Sequence, residues 1–301
     1  MKLYLSRLLP VFSILLFISC RTIQVPDYTV TASRAQKTAA ASAVRIVQIS
    51  DFHSNDFGRD ETVLIQKIKD EHPDLIAITG DFFDFQMKNG KAIGNVKTLL
   101  AGIRGLCPFY YVSGNHEFLK GHNDEYSFLI TEYGGTVLDD TAVPLVLPQG
   151  TILVSGISDP FLDLNQKQRR KAKDNKEAYR SRLAKTAQKA ADIKKTSGNT
   201  VLFSVLLAHR PEYIEDYQQY AFDLILSGHA HGGQWRIPGL LNGFYAPMQG
   251  FFPKYAGGRY DLKTGTVFIV SRGLSYQRPW FPRILDSPEL VIIDVLSYAS
   301  D

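Results

Sequence analysis

Residues 223–235 read DLILSGHAHGGQW. A short apolar run ends in Ser227 and Gly228, and two histidines one residue apart follow, His229 and His231. An ordinary turn requires no imidazole, so the pair must be holding something. The same grammar recurs along the chain. AVRIVQIS (43–50) runs into Asp51 and His53, and PDLIAIT (73–79) runs into Gly80, Asp81 and Asp84. PFYYVS (108–113) leads to Gly114, Asn115 and His116, and SVLLA (204–208) leads to His209. Short runs of apolar and β-branched residues bounded by Gly or Ser read as buried strands. Helical patterns lie between them: residues 61–71 set Leu64, Ile65 and Ile68 on one face, and Asn123 is placed to cap a helix through Tyr133 before Gly134. Strands alternating with helices predict a layered α/β domain. In such sheets the site lies off the carboxyl ends of the strands. All five polar clusters occupy those ends.

The residue types agree with one another. Asp51, His53, Asp81, Asn115, His209, His229 and His231 supply imidazoles, carboxylates and one amide oxygen. That donor set suits Mn, Fe or Zn rather than calcium. Seven ligands exceed what one ion with an open position needs. Shared through one bridging carboxylate, they suit two ions roughly 3.5–4 Å apart. Taken singly, Asp51-x-His53 or Asn115 reads equally as part of a turn. The weight rests on five clusters in order. His72 and His122 match no cluster and read as surface histidines. No CxxC occurs, so a cysteine zinc site is excluded, and two cysteines give no disulfide framework.

The series DxH, GDxxD, GNHE, a later His and GHxH resembles the calcineurin-like metallophosphoesterase family over roughly Arg45 to Ile293. GHAHGGQWRIPG, VSRGLS and SPEL are similar to its bacterial membrane-associated branch. That branch includes phosphodiesterases and UDP-2,3-diacylglucosamine pyrophosphatases of the chlamydial type. The resemblance implies a layered α-β-β-α sandwich of the metallo-dependent phosphatase type. It implies that Asp51, His53 and His231 bind one metal, that Asn115, His209 and His229 bind the second, and that Asp81 bridges them. It also makes His116 the acid and Asp84 its orienting partner. Two cations sharing a water lower its pKa enough to give hydroxide near neutral pH, which attacks phosphorus in line. His116 is surplus to the ligand count, so protonating the leaving group is its natural role. Arg272 follows a strand and is read either as a contact to substrate phosphate or as half of a structural salt bridge. The aromatic stretch FYAPMQGFFPKYAGGRY (244–260) reads either as the wall of an acyl-binding groove or as an irregular loop over the core.

The chain of 301 residues is 45% hydrophobic and 21% charged, enough for a real core and too ordered in composition for general disorder. It begins MKLYLSRLLPVFSILLFISC. Lys2 and Arg7 precede an uncharged run from Leu8 to Ile18, shorter than the roughly 18 apolar residues that a membrane span needs. This is the pattern of an export signal. Ser19-Cys20 resembles a lipobox, with Phe17 where leucine is usual, which makes Cys20 the expected lipidation site. A plain signal or an uncleaved anchor are the alternatives. All three put residues 44–298, the phosphoesterase domain, on the extracytoplasmic face of the cell membrane. Residues 21–43 lack apolar periodicity and read as a tether.

Residues 163–199 read as a basic helical insertion with a solvated surface. Between Gln166 and Lys195 twelve Lys/Arg face three acidic residues, a net +9 that leaves −5 for the rest of a chain of formal charge +4. The positive total therefore gives no reason to expect nucleic-acid binding, whereas an anionic membrane surface suits the insertion. The functional expectation is a membrane-tethered hydrolase with two divalent ions, cleaving phosphodiester or pyrophosphate bonds in a phosphate-ester substrate, including lipid or cell-envelope compounds. A UDP-2,3-diacylglucosamine pyrophosphatase is the alternative enzyme, although its nucleotide substrate is made in the cytoplasm. An inert metal-bearing scaffold is the non-enzymatic alternative, and it should lack ligands or the acid, which are present here.

Overall fold

The computed structural model describes residues 22–31, 41–84, 90–119, 121–171, 174–197, 201–276 and 282–298. Its strands are β1 (Asp27–Thr31), β2 (Ala41–Ile49), β3 (Leu75–Thr79), β4 (Phe109–Val112), β5 (Thr136–Val137), β6 (Thr141–Leu147) and β7 (Gly150–Ile157). These are followed by β8 (Val201–Ala208), β9 (Leu224–Ser227), β10 (Tyr245–Ala246), β11 (Gly250–Phe251), β12 (Gly258–Asp261), β13 (Val267–Val270) and β14 (Val291–Tyr298). The helices are α1 (Thr62–Asp70), α2 (Gly90–Ile103), α3 (Asn115–Leu119), α4 (Asn123–Glu132), α5 (Gln166–Arg170), α6 (Lys176–Ser197) and α7 (Ile214–Tyr217). One sheet has the order β1-β14-β2-β3-β4-β5 and the other β12-β13-β9-β8-β7-β6. In the first, β2, β3 and β4 run parallel; in the second, β7, β8, β9 and β13 do.

Alternation along the strands builds three apolar layers. Val44 and Ile46 of β2 and Leu75 and Ala77 of β3 face Val205, Leu207, Leu224 and Leu226 between the sheets. Their neighbours Val47, Ile49, Ile76 and Ile78 point the other way, onto Leu64 and Ile68 of α1 and Val96 and Leu99 of α2. Leu153, Leu206 and Ile225 cover the outer face of the second sheet with Tyr179 and Leu183 of α6. Side chains of period two bury both faces of a strand only if each sheet is covered on both sides. The result is the expected α-β-β-α sandwich. One polar tie crosses the middle: the buried Gln48 Nε2 donates to Thr79 Oγ1 (3.0 Å) and to the Ser227 carbonyl (2.9 Å).

Three expectations are corrected. Of the segment read as a tether, residues 22–31 belong to the body: β1 pairs in parallel with β14, and Ile23 and Val30 are buried in two different cores. Five strand residues fell below what periodicity can detect. The basic insertion is two helices, and α6 is not merely solvated, since it buries Tyr179, Leu183, Ala187 and Ala190. Its Arg182 is tied up with Asp140 (2.7 Å) and Asp163 (2.8 Å). Asn123 is the first residue of α4 and not its cap; its Oδ1 accepts from Ser113 Oγ (3.1 Å), and His122 takes the N-cap position. Among the described residues no helix is long and apolar enough to cross a membrane. Cys20 and residues 32–40 lie outside the described residues.

Because Ile23 sits in a core, Ile23→Ala should destabilise the protein by roughly 2–5 kcal/mol, read as a lower midpoint in urea unfolding. An unchanged midpoint would return residues 22–31 to the role of a tether.

Candidate metal centre

Every sequence-predicted ligand lies within a few residues of the carboxyl end of a strand. Asp51 and His53 follow β2, Asp81 follows β3, Asn115 and His116 open α3 after β4, His209 follows β8, and His229 and His231 follow β9. Tight reversals at these ends bring them together. Asp51, His53, Asp81, His229 and His231 all take positive φ, between 47° and 66°. That backbone region costs a non-glycine residue on the order of 1–3 kcal/mol and persists where the surrounding structure imposes it, typically at functional sites. Two glycines make the crowding possible. A Cβ on Gly80 would lie 2.6 Å from His209 Nδ1, and one on Gly228 would collide with Ser50 Oγ.

Two groups of ligand atoms result. Asp51, His53, Asp81 and His231 each offer one atom, all within 4.8 Å of one another, and Asp81, His209 and His229 form a second such group. Asp81 belongs to both. His53 Nε2 is 3.6 Å and His209 Nε2 3.3 Å from Asp81 Oδ2, and His231 Nε2 is 3.5 Å from Asp51 Oδ1. His209 Nδ1 is 2.8 Å from the Thr79 carbonyl, a contact that suits an Nδ1–H donor and leaves Nε2 free to ligate. His229 Nδ1 approaches His209 Nε2 at 3.2 Å, so two imidazole nitrogens converge on one point. The buried Asn115 Oδ1 has no hydrogen-bond partner among the described residues. Buried polar atoms are otherwise nearly always satisfied. An unpaired amide oxygen beside converging imidazoles and carboxylates fits divalent cations.

The electrostatics follow from two buried carboxylates. Burial pushes the Asp51 pKa up, and the Asp81 charge adds to this, taking it to about 6. Burial also opposes the Asp81 charge, but His209, His116 and His53 hold it well below the ordinary carboxylate range. Burial, with Arg210 and His209 nearby, drives His229 well below its ordinary value and keeps it a neutral ligand. Burial lowers His209 too, yet Asp81 and Asp51 outweigh it and carry its pKa up to about 10. Cation binding there must displace a proton, as metal sites generally do.

His116 stands apart from both ligand groups. Its backbone N–H donates to Asp81 Oδ1 (2.8 Å), its Nε2 is 3.8 Å from Asp81 Oδ2, and its ring meets His53 edge-on at 4.4 Å. Asp84 lies on the same loop as Asp81, its backbone N–H donating to Ser54 Oγ (3.1 Å). Arg272, read as a phosphate contact or half of a salt bridge, has partners of its own. Its guanidinium is buried and donates to the Asn242 carbonyl (3.1 Å) and Oδ1 (2.6 Å), 3.5 Å from Asp286 and 3.8 Å from Glu289. The salt-bridge alternative holds there.

Two carboxylates went unassigned in the sequence. Glu117, buried in GNHE, accepts backbone N–H bonds from Asp81 (3.2 Å), Phe82 (2.8 Å), Phe83 (3.1 Å) and Gly114 (2.7 Å), and so fixes the loop that carries Asp81. Burial and the Asp81 charge push its pKa up to about 8. Glu212 lies 3.9 Å from His229 Nε2 and 3.5 Å from Arg210, whose guanidinium is clamped by Asp159 at 2.6 and 2.9 Å. The spacing of Glu117 from His116 was visible, but its four donors come from two loops that meet only in the fold.

Two buried ligand groups that share Asp81, at the strand ends of an α-β-β-α sandwich, define a class, and the family match agrees. Residues 44–233 match the family model of the calcineurin-like phosphoesterases, and the chain belongs to that family. It is a metal-dependent phosphoester hydrolase. An uncharacterized metallophosphoesterase of Aquifex aeolicus (strain VF5) is 27% identical over 275 residues, covering 91% of this chain and 92% of the relative. The uncharacterized metallophosphoesterase YkuE of Bacillus subtilis (strain 168) is 30% identical over 263 residues, covering 84% and 79%. A dimetal phosphatase from Danio rerio superposes with a TM-score of 0.48 at 13% identity, covering 76% of this chain and 87% of that one.

Asp81→Asn removes the one carboxylate common to both groups. It should abolish hydrolysis and leave less bound metal than the parent, measured by elemental analysis of the purified protein. Full metal content in the variant would show that Asp81 is not the bridge.

Proposed function

We propose that this protein is an exported, membrane-tethered phosphoesterase that uses two divalent ions, Mn, Fe or Zn, to cleave phosphodiester or pyrophosphate bonds, including those of lipid or cell-envelope compounds. The carrying observation is that Asp81 is shared by two buried ligand groups. Asp51, His53, Asp81 and His231 would hold one ion; Asp81, Asn115, His209 and His229 would hold the other. When bound, the pair supplies Lewis acidity to the phosphoryl oxygens and acidifies water. The chain's own residues do the rest. Glu117 keeps Asp81 in place through four backbone donors, and the Thr79 carbonyl sets the His209 tautomer. His116, tied by its backbone to Asp81 yet outside the ligand groups, donates a proton to the leaving oxygen. Asp84, three residues beyond Asp81, orients that imidazole. Export and tethering rest on the sequence from Lys2 to Cys20.

His116→Ala should keep its metal and lose about 10²–10⁴-fold in rate on a diester with an alkoxide leaving group, and much less on a nitrophenyl ester. Equal losses on the two substrates would remove His116 from the role of acid. Cys20→Ser should stop incorporation of labelled fatty acid and alter the mass of the processed chain. A parent protein that never takes up the label is not lipidated at Cys20.

A further inference from the structure

The loop after His231 and the segment at Leu285 carry apolar side chains that the fold leaves uncovered. Leu240 is 83% exposed, Phe252 67%, Phe251 66%, Ile237 48% and Leu285 41%. Ring contacts and backbone bonds link the segments that carry them. Trp235 stacks on Phe244 at 5.1 Å, and Phe244 meets Phe251 and Phe252 at 5.3 and 5.6 Å. Backbone bonds tie residues 234–236 to Ile284, the neighbour of Leu285. Soluble domains rarely present so many large apolar side chains together without a partner. From Gln234 to Gly258 the sequence holds Arg236 and Lys254 and no acidic residue, although the chain outside the basic insertion is net negative. Exposed aromatic and aliphatic side chains flanked by basic ones suit the boundary of an anionic bilayer.

The position of the N-terminus selects the same partner. The described chain begins at Thr22, and Gln24 is bonded to the segment that leads into β14 through Pro288 and Leu290. A cavity of about 450 Å³ lies between Gln24, Val25 and Pro26 on one side and Arg236, Pro238 and Leu285 on the other. Residue 20, where the apolar run Leu8–Ile18 gives way to Ser19-Cys20, is two residues from Thr22, a reach of roughly 7 Å at most. The start of β1 lies beside the start of β14, which pairs with the end of β2, so this entry point is at the metal-bearing end of the sheets. The basic helix α6 packs instead on β6 and β7, at the opposite edge of the second sheet from β12. Five strand spacings, about 24 Å, separate those edges, and β12 is the edge bonded to β1 through Arg259 and the Thr29 carbonyl.

We propose that the surface formed by Ile237, Leu240, Phe251, Phe252 and Leu285 seats the domain on an anionic phospholipid bilayer, with His231 and the metal cluster beside the lipid contact. This inference rests on the membrane tethering proposed above. It gives the contact to the loop face and not to α6, and it makes a phosphoester in a membrane-resident molecule the accessible substrate class.

Trp235 lies within this surface and Trp280 is the only other tryptophan, so full-length Trp280→Phe protein reports from one place. It is mixed with phosphatidylglycerol-containing vesicles carrying brominated acyl chains. Vesicle-bound protein should lose most of its Trp235 emission. The Leu240→Asp/Phe251→Asp/Phe252→Asp variant, checked for native circular dichroism and metal content, should stay with the vesicles through its N-terminus but keep its emission. Glutamine at Lys185, Lys189 and Lys195 of α6 should leave the quenching unchanged. Vesicle-bound protein with unquenched Trp235 overturns the docking face and leaves tethering intact. Protein that does not bind vesicles overturns both. Trp235 shielded from both bromolipid and aqueous iodide means that protein covers the face, a second copy or the chain's own apolar run, and also overturns it.

Discussion

Two carboxylates, Asp51 and Asp81, are buried at the ends of adjacent parallel strands, and their charge must be met by something positive. Isolated buried carboxylates are costly enough that proteins neutralise, pair or coordinate them. Around Asp81 the fold answers with imidazoles from three strand ends, one of which, that of β4, also gives the His116 backbone N–H. Placing them requires five non-glycine residues with positive φ and glycines where any side chain would collide. Strain of this kind would relax unless packing imposed it. The sandwich supplies the packing.

Its rigidity comes from sheets buried on both faces. Sheet-to-sheet contact aligns the ends of β2, β3 and β4 with those of β8 and β9, so ligands separated by up to 180 residues share one cluster. The strands provide position and the loops provide direction. Glu117 and the Arg210–Asp159 pair work behind the ligands, holding the loops that carry them. An ion pair this deeply buried is a weak source of stability by itself, because desolvation offsets much of its attraction. Its value here is geometric: it locks the turn after His209 and sets Glu212 beside His229.

Charge and exposure divide the surface differently from composition. The net positive insertion draws attention in the sequence, yet α6 uses Arg182 and Arg180 to bind Asp140, Asp163 and Asp216, and uses its apolar side to cover a sheet. The aromatic loop from Trp235 to Phe252 carries a single charged side chain, Arg236, and leaves several large apolar side chains in water. Neither placement follows from counting residues.

The ligands were legible because His, Asp and Asn gather just after short apolar runs, and strand ends are where α/β sheets build sites. The layered class was legible for the same reason, since alternation of strand and helix leaves few architectures. β1 was not, because DYTVT shows little apolar pattern and gains its stability from pairing with β14, some 265 residues away. The fate of Arg272 was open for a similar reason: a guanidinium after a strand fits phosphate or carboxylate equally, and only the fold brings Asn242, Asp286 and Glu289 around it. Sequence by itself determined the donor chemistry and the order of strand ends, because both depend on residue type and local periodicity. Tertiary structure alone decided how closely those side chains gather, which charges are already spent on one another and which face is left bare, because those depend on contacts between segments far apart in the chain.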